Sequence, residues 1–134
     1  MNKPFLSAGS KPGLIVLPGQ FTIHRFPANA AVPDQLEHSL FYSVTRTAEE
    51  VSVVCSSSFR LNSHQSEDGW RCLMVEGPLD FAVTGLLAGL ASVLAQAGVS
   101  IFAISTFDTD YILVKDAGLD TALTALVAAG YDIR

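Results

Sequence analysis

Leu86, Leu87, Leu90, Val93, Leu94 and Ala97 recur at the spacing that lines one side of a helix, and Gly98 follows at once. Glycine commonly ends a helix in the left-handed conformation, so the spacing predicts a helix over 82–97. Apolar runs of strand length bracket it. "WRCLMVEG" (70–77) is almost continuously apolar, as a covered central strand is, and "SIFAIS" (100–105) and "DYILVK" (110–115) are two more. A second helical stripe, Leu119, Ala122, Leu123, Leu126 and Val127, stops at Gly130, and "YDI" (131–133) offers a short closing strand. Strand–helix–strand–strand–helix–strand leaves few solutions. The expected one is α+β: two helices on one face of an antiparallel sheet, the ferredoxin-like βαββαβ arrangement.

The first half has no comparable helix. Residues 1–12 are polar with two prolines and read as a loose arm. "LIVLPGQFTIHRF" (14–26) reads as two strands around Pro18-Gly19. One helical turn fits around Asp34–His38, behind Pro33. "SLFYSVTR" and "EVSVVCSS" form an expected hairpin with Thr47, Ala48 and Glu49 near its tip, and "RLNSHQSEDG" (60–69) reads as a polar connection. Residues 39–54 can be laid on 100–114 with one extra residue, placing Ser39 on Ser100, Phe41 on Phe102, Thr45 on Thr106, Glu50 on Asp110 and Val54 on Val114. On this reading residues 1–65 are a degenerate, helix-poor copy of residues 66–134, packed against it. Its sheet face then needs cover from the second half or another subunit, because exposed apolar area costs about 25 cal/mol per Å².

Composition narrows the function. Hydrophobic residues make up 49% of the 134-residue chain and charged residues 16%, which favours a real core and burial of further apolar surface in a homodimer. Eight basic residues against 13 acidic give a net charge of −5, and no basic stripe interleaves with aromatics, so nucleic acid and anionic membrane are poor partners. The apolar stretch 81–104 is broken by Gly85, Gly89 and Gly98, unlike a membrane span. Cys55 and Cys72 sit in strand-like runs and read as reduced core thiols, which fits a cytoplasmic protein. His24, His38 and His64 are scattered and read as surface or satisfied residues. No phosphate loop, nucleophile elbow or zinc-spaced cluster is present; the chain is expected not to be an enzyme and to need no cofactor or metal.

The stretch "EGPLDFAVTGLLAGLASVLAQAGVSIFAISTFDTDYILVK" (76–115) resembles the ACT-type amino-acid-binding domains, and "YSVTRTAEEVSVVC" (42–55) is similar to a small bacterial group with tandem ACT-like halves. The same residues are similar to the ACT domains of animal cytosolic arginine sensors and, more distantly, of aspartate kinases. The resemblance implies a non-catalytic module that binds a free amino acid or similar small metabolite at an interface between ACT units. Carried over by motif, the ligand-lining positions are Gly85 with its neighbour Leu86, and Ser105, Thr106, Phe107, Thr109 and Asp110. Thr109 departs from the sensors, which carry an aromatic residue there, and Asp108 also differs, so arginine itself is not carried over as the ligand.

The residue types suit a zwitterion. A helix start offers N–H groups to a carboxylate, and Gly85 lets a ligand approach the backbone. Thr84 supplies either a hydroxyl or only an N-cap. Asp110 suits an ammonium or guanidinium group, and Phe107 can cover the apolar part. Through the internal echo, Thr45 and Arg46 join the candidates; the plain alternative for Arg46 is a solvated turn arginine, and for Asp108 it is turn chemistry. Gly85, Gly89 and Ser92 also form a small-residue stripe that would let the helix pack closely. The alternative function is a protein-interaction or regulatory-subunit module that kept the fold without ligand binding.

Overall fold

The computed structural model describes residues 11–77 and 85–134. These form strands β1 (Gly13–Val16), β2 (Phe21–Pro27), β3 (Tyr42–Arg46), β4 (Glu50–Ser56), β5 (Gln65–Val75), β6 (Ile101–Ser105), β7 (Asp110–Lys115) and β8 (Asp132–Ile133), with helices α1 (Leu86–Gln96) and α2 (Leu119–Ala128). Short 3-10 turns lie at Asp34–His38 and Asp116–Gly118. The chain divides into two compact units: Gly19–Trp70, and the described residues up to Pro18 together with Arg71–Arg134. Strand β5 contributes its first part to one unit and its second part to the other.

The larger unit carries the expected βαββαβ elements in order. Leu73 and Val75 of β5, Ile112 and Val114 of β7 and Leu14 of β1 meet Leu90 and Leu94 of α1 and Leu119, Ala122 and Leu126 of α2 in one buried cluster. The alternation within each strand and the 3–4 spacing within each helix send these side chains to the same layer. Burying each Leu or Ile contributes about 1.5–3 kcal/mol. Helix α1 ends as its glycine dictates: Gly98 takes φ +75°, and the Val99 N–H donates to Leu94 O at 2.9 Å. It begins at Leu86; the part of the expected helix over residues 82–84 lies outside the described residues.

One strand changes the expected topology. The closing strand β8 does not pair with β5. Strand β1 lies between them, antiparallel to β5 (Leu14 opposite Val75) and parallel to β8 (Leu14 opposite Ile133). The sheet order is therefore β8-β1-β5-β7-β6. The split read from sequence at 65/66 differs from this division, because the N-terminal strand belongs with the C-terminal elements. Gly13 opens β1 beneath an ion pair: Arg134 Nη1 lies 2.6 Å from Glu76 Oε1, and a Cβ on Gly13 would run into that carboxylate.

The smaller unit has strand order β3-β4-β2-β5 and no α-helix among the described residues. The expected hairpin β3–β4 forms, with Arg46 opposite Val51. The polar stretch expected as a connection is strand from Gln65 on: Gln65 pairs with Arg25, Ser66 with His24 and Glu67 with Ile23. Its side chains are polar and exposed, so no apolar alternation announces it. Gly69 (φ +78°) absorbs a bulge before Trp70 pairs with Phe21. One sheet face gathers Val51, Val53 and Cys55, and Leu36 from the 3-10 turn closes over it together with Phe59 and Leu61. Part of the cover that face needs thus comes from within the unit.

Cys55 and Cys72 are both free and buried, and burial pushes their thiols up to about 11 and about 12. Thiols held that far from ionisation are inert core residues.

Candidate functional site

The β6–β7 hairpin turns on hydroxyls. The Thr106 N–H donates to Thr109 O at 2.8 Å, and the Thr106 hydroxyl donates to the same oxygen at 3.0 Å. The Thr109 N–H donates back to Thr106 Oγ1 at 3.2 Å. Below them the strand ends pair, and the Ser105 hydroxyl donates to Asp110 Oδ1 at 2.5 Å. Thr109 is only 8% exposed, and its hydroxyl donates to Val75 O at 2.6 Å. That bond fixes the turn to the last residue of β5, where the chain departs toward α1.

The candidates thus separate by task. The hydroxyls of Ser105, Thr106 and Thr109 are spent inside the protein. Phe107 is 81% exposed, Asp108 is exposed, and Asp110 keeps its second oxygen without a partner among the described residues. Burial, then the neighbouring Cys72 and Asp108, push the Tyr111 phenol upward, which places Asp108's negative charge near the ring. What the turn offers to solvent is an aromatic ring and two carboxylates, an arrangement that receives a cation.

At the start of α1, Gly85 adopts φ +85°, left-handed backbone that a glycine tolerates, with open space where a Cβ would point. Its carbonyl accepts the first helical bond, from the Gly89 N–H at 2.8 Å, and no side chain caps this end. Thr84, the expected cap or donor, lies outside the described residues. Leu86 is half-buried. Gly89 serves packing: a Cβ there would stand 3.1 Å from the Tyr131 hydroxyl.

Thr45 and Arg46 lie in the smaller unit, and their side chains belong to opposite faces of β3. The Arg46 guanidinium donates to Ala28 O and, at 2.6 Å, to Ala30 O, clamping the turn after β2. Thr45 is exposed and pairs with Ser52. The hydrogen bonds also move the register of the internal echo. Thr47 donates its N–H to Glu50 O at 2.9 Å, while the Glu50 N–H donates to Thr47 Oγ1 at 3.2 Å. Those are the bonds of Thr106 with Thr109. Thr47, not Thr45, is the counterpart of Thr106, and Arg46 and Val51 stand where Ser105 and Asp110 do. Matching residues by identity misplaced Thr45 by two residues and Glu50 by one, because backbone bonds across the tip set the register.

His24 also departs from its reading. It is 6% exposed; Nδ1 shares a hydrogen bond with Ser63 Oγ at 2.8 Å, and Nε2 is buried without a partner. Burial lowers its pKa. Among the described residues no group of three or more His, Cys, Asp or Glu side chains could hold a metal, and no helix is long and apolar enough to cross a membrane. Sequence reasoning missed the anchor of the turn: it is the backbone carbonyl of Val75, which no residue letter reports.

A family model described as an ACT domain matches residues 65–128. The crystal structure of an Agobacterium tumefaciens protein is 32% identical, with 94% of each chain covered and a TM-score of 0.86. The chain belongs to the ACT-domain family. A separate model, of an N-terminal domain, matches residues 19–59, inside the smaller unit. The Pongo abelii protein "Cytosolic arginine sensor for mTORC1 subunit 1" is 30% identical over 79% of this chain, which spans 35% of that relative's length. The structure of Clostridium acetobutylicum aspartate kinase matches with a TM-score of 0.69 over 95% of this chain and 36% of that one, at 13% identity, a likeness of fold alone.

Proposed function

We propose that this ACT protein is a non-catalytic regulatory sensor that binds a free amino acid, or a similar small zwitterion, at the Ser105–Asp110 turn. The observation that carries the reading is the division of labour in that turn. Thr106 and Thr109 hold its shape and tie it to Val75, while Asp110 has only one of its oxygens bonded to Ser105 and the Phe107 ring stands exposed beside it. Asp110 takes the ammonium, its orientation set by Ser105, and Phe107 covers the apolar part. Gly85, at the start of α1, supplies backbone approach for the carboxylate. The likeness to a cytosolic arginine sensor supports a cytoplasmic place and an amino acid as the class of ligand. A homodimer completes the site.

A thermal-shift screen of the twenty amino acids tests this. A ligand at about 100 times its dissociation constant stabilises the fold by about 2.7 kcal/mol. No shift with any of the twenty overturns the reading. The commitment of three turn hydroxyls inside the protein favours a second reading, an interaction module without a ligand. Co-purification with an enzyme in the absence of any ligand effect would select it.

A further inference from the structure

Residues 57–64, between β4 and β5, run as a strap across the face of the smaller unit that carries Val51, Val53 and Cys55. Each end is tied to β2 or to the residue before it. At one end the Ser57 N–H donates to Gln20 O at 2.9 Å, and the Ser57 and Thr22 hydroxyls share a hydrogen bond at 2.8 Å. At the other the His64 N–H donates to Arg25 O at 3.1 Å, and Ser63 Oγ meets His24 Nδ1 at 2.8 Å. Between the ties, Phe59 and Leu61 pack on the apolar face. Strand alternation puts Thr22, His24 and Phe26 on that same face, opposite Cys55, Val53 and Val51.

His24 is the tie that a proton can undo. The ring is 6% exposed, and Nε2 is buried with no hydrogen-bond partner among the described residues. A neutral ring with its proton on Nδ1 donates to Ser63 and leaves only a lone pair at Nε2. A charged ring carries a second N–H, at Nε2, where no described residue accepts it. Burying an unpaired charge is much the costlier of the two. The groups around the ring do not change this. On β4, Val53 stands opposite, flanked by Val51 and by Cys55, whose thiol stays protonated. On β5, Ser66 stands opposite, with His64 and Asp68 two residues to either side, both exposed. Arg46 of β3 lies opposite Val51 and is engaged with Ala28 and Ala30. Asp34, Glu37 and His38 around Leu36, and Arg60 on the strap, are exposed. Burial is what lowers the pKa of the ring.

We propose that residues 57–64 are an acid-released strap: His24 holds it through Ser63 while neutral, and protonation of the ring frees it, uncovering the apolar face around Cys55. The charged ring reaches solvent only by leaving its seat, and the Ser63 tie goes with it. A solvated histidine titrates at about 6.5, so the open fraction rises by up to about tenfold between about pH 7.5 and pH 5.5 while the closed ring stays neutral. The device lies wholly in the smaller unit and stands independently of the amino-acid reading of the Ser105–Asp110 turn.

Cys55, fully buried beneath the strap, is the reporter. Its labelling by dithiodipyridine is followed in the full chain carrying Cys72→Ala, and each rate is divided by that of the same chain unfolded in urea at the same pH. The quotient is expected to rise by up to about tenfold from about pH 7.5 to pH 5.5. Cys72 of the larger unit, read in Cys55→Ala, is expected to show no such rise. Ser63→Ala cuts the tie without touching the titrating group and is expected to raise Cys55 labelling several-fold already at the higher pH. His24→Leu is expected to abolish the rise, and His64→Gln to keep it. A quotient that does not change with pH, a rise that persists in His24→Leu or disappears in His64→Gln, or unchanged labelling in Ser63→Ala overturns the proposal. So does labelling that follows added urea as steeply as unfolding of the chain, because the whole unit then opens and not the strap. Should any of these variants fail to fold, NMR titration of the unmodified chain decides: the amides of residues 57–64 must shift with the midpoint of the His24 ring, and any other midpoint overturns the proposal.

Discussion

Thr47 and Thr106 do the same job in the two units, each closing a four-residue hairpin tip with its N–H and hydroxyl. The strand ends beneath the tips differ. Under Thr106 stand Ser105 and Asp110, bonded to each other, and Thr109 reaches to Val75. Under Thr47 stand Arg46 and Val51, and the arginine reaches back to Ala28 and Ala30. One tip is anchored from its turn, through Thr109, and stands over Asp110; the other is held by arginines, Arg46 on Ala28 and Ala30 and Arg25 on Glu49 O, and has Val51 at the place of Asp110. A shared turn motif therefore does not imply a shared site. The position below it decides what can bind.

That contrast can be broken or sharpened by substitution, and the largest effects belong to the scaffold. Leu94→Ala removes a fully buried side chain from the larger unit's core and is expected to cost about 2–5 kcal/mol in urea unfolding. Asp110→Ala is expected to erase any amino-acid-induced thermal shift, about 2.7 kcal/mol at 100 times the dissociation constant. Unchanged affinity would move the site away from this carboxylate. Thr109→Val strands the Val75 carbonyl and is expected to destabilise by about 1–3 kcal/mol, measured the same way. Arg46→Ala is expected to cost about 1 kcal/mol or less and to leave any ligand shift intact, since its bonds are exposed and local.

The smaller unit holds a buried histidine, His24, whose pKa burial lowers from 6.5. A depressed folded value means the stabilisation is present above pH 6.5 and lost as pH falls through the folded pKa. Amide exchange in β2 and β4 is expected to speed up below that point. His24→Leu, which has no proton to take up, is expected to flatten the dependence. An unchanged pH profile in that variant would assign the acid response to another group.

The larger unit was readable because its two helical stripes and four apolar strands are local patterns. The position of β1 was not, because pairing with β5 and β8 is a contact far along the chain and "LIV" suits either unit equally. The polar start of β5 carries no apolar alternation, so only its backbone ladder reveals it. At the candidate turn, the resemblance pointed to Phe107 and Asp110, and the fold leaves the Phe107 ring exposed. The roles of Thr106 and Thr109 were not legible, since each is fixed by a backbone oxygen. The clamp that Arg46 makes on Ala28 and Ala30 was not legible either, since its acceptors are backbone carbonyls.

Strand β1 sits between β5 and β8, with the whole of Gly19–Trp70 inserted between it and the rest of its unit. During synthesis, β1 leaves the ribosome well before either neighbour exists. The inserted unit draws its partners from within Gly19–Trp70 and can assemble first, while β1 waits as an apolar edge in need of a second edge. Contacts this distant in sequence slow folding, because the loop must close before they contribute. The larger unit is thus the later and more aggregation-exposed part of the nascent chain, although it holds the larger core.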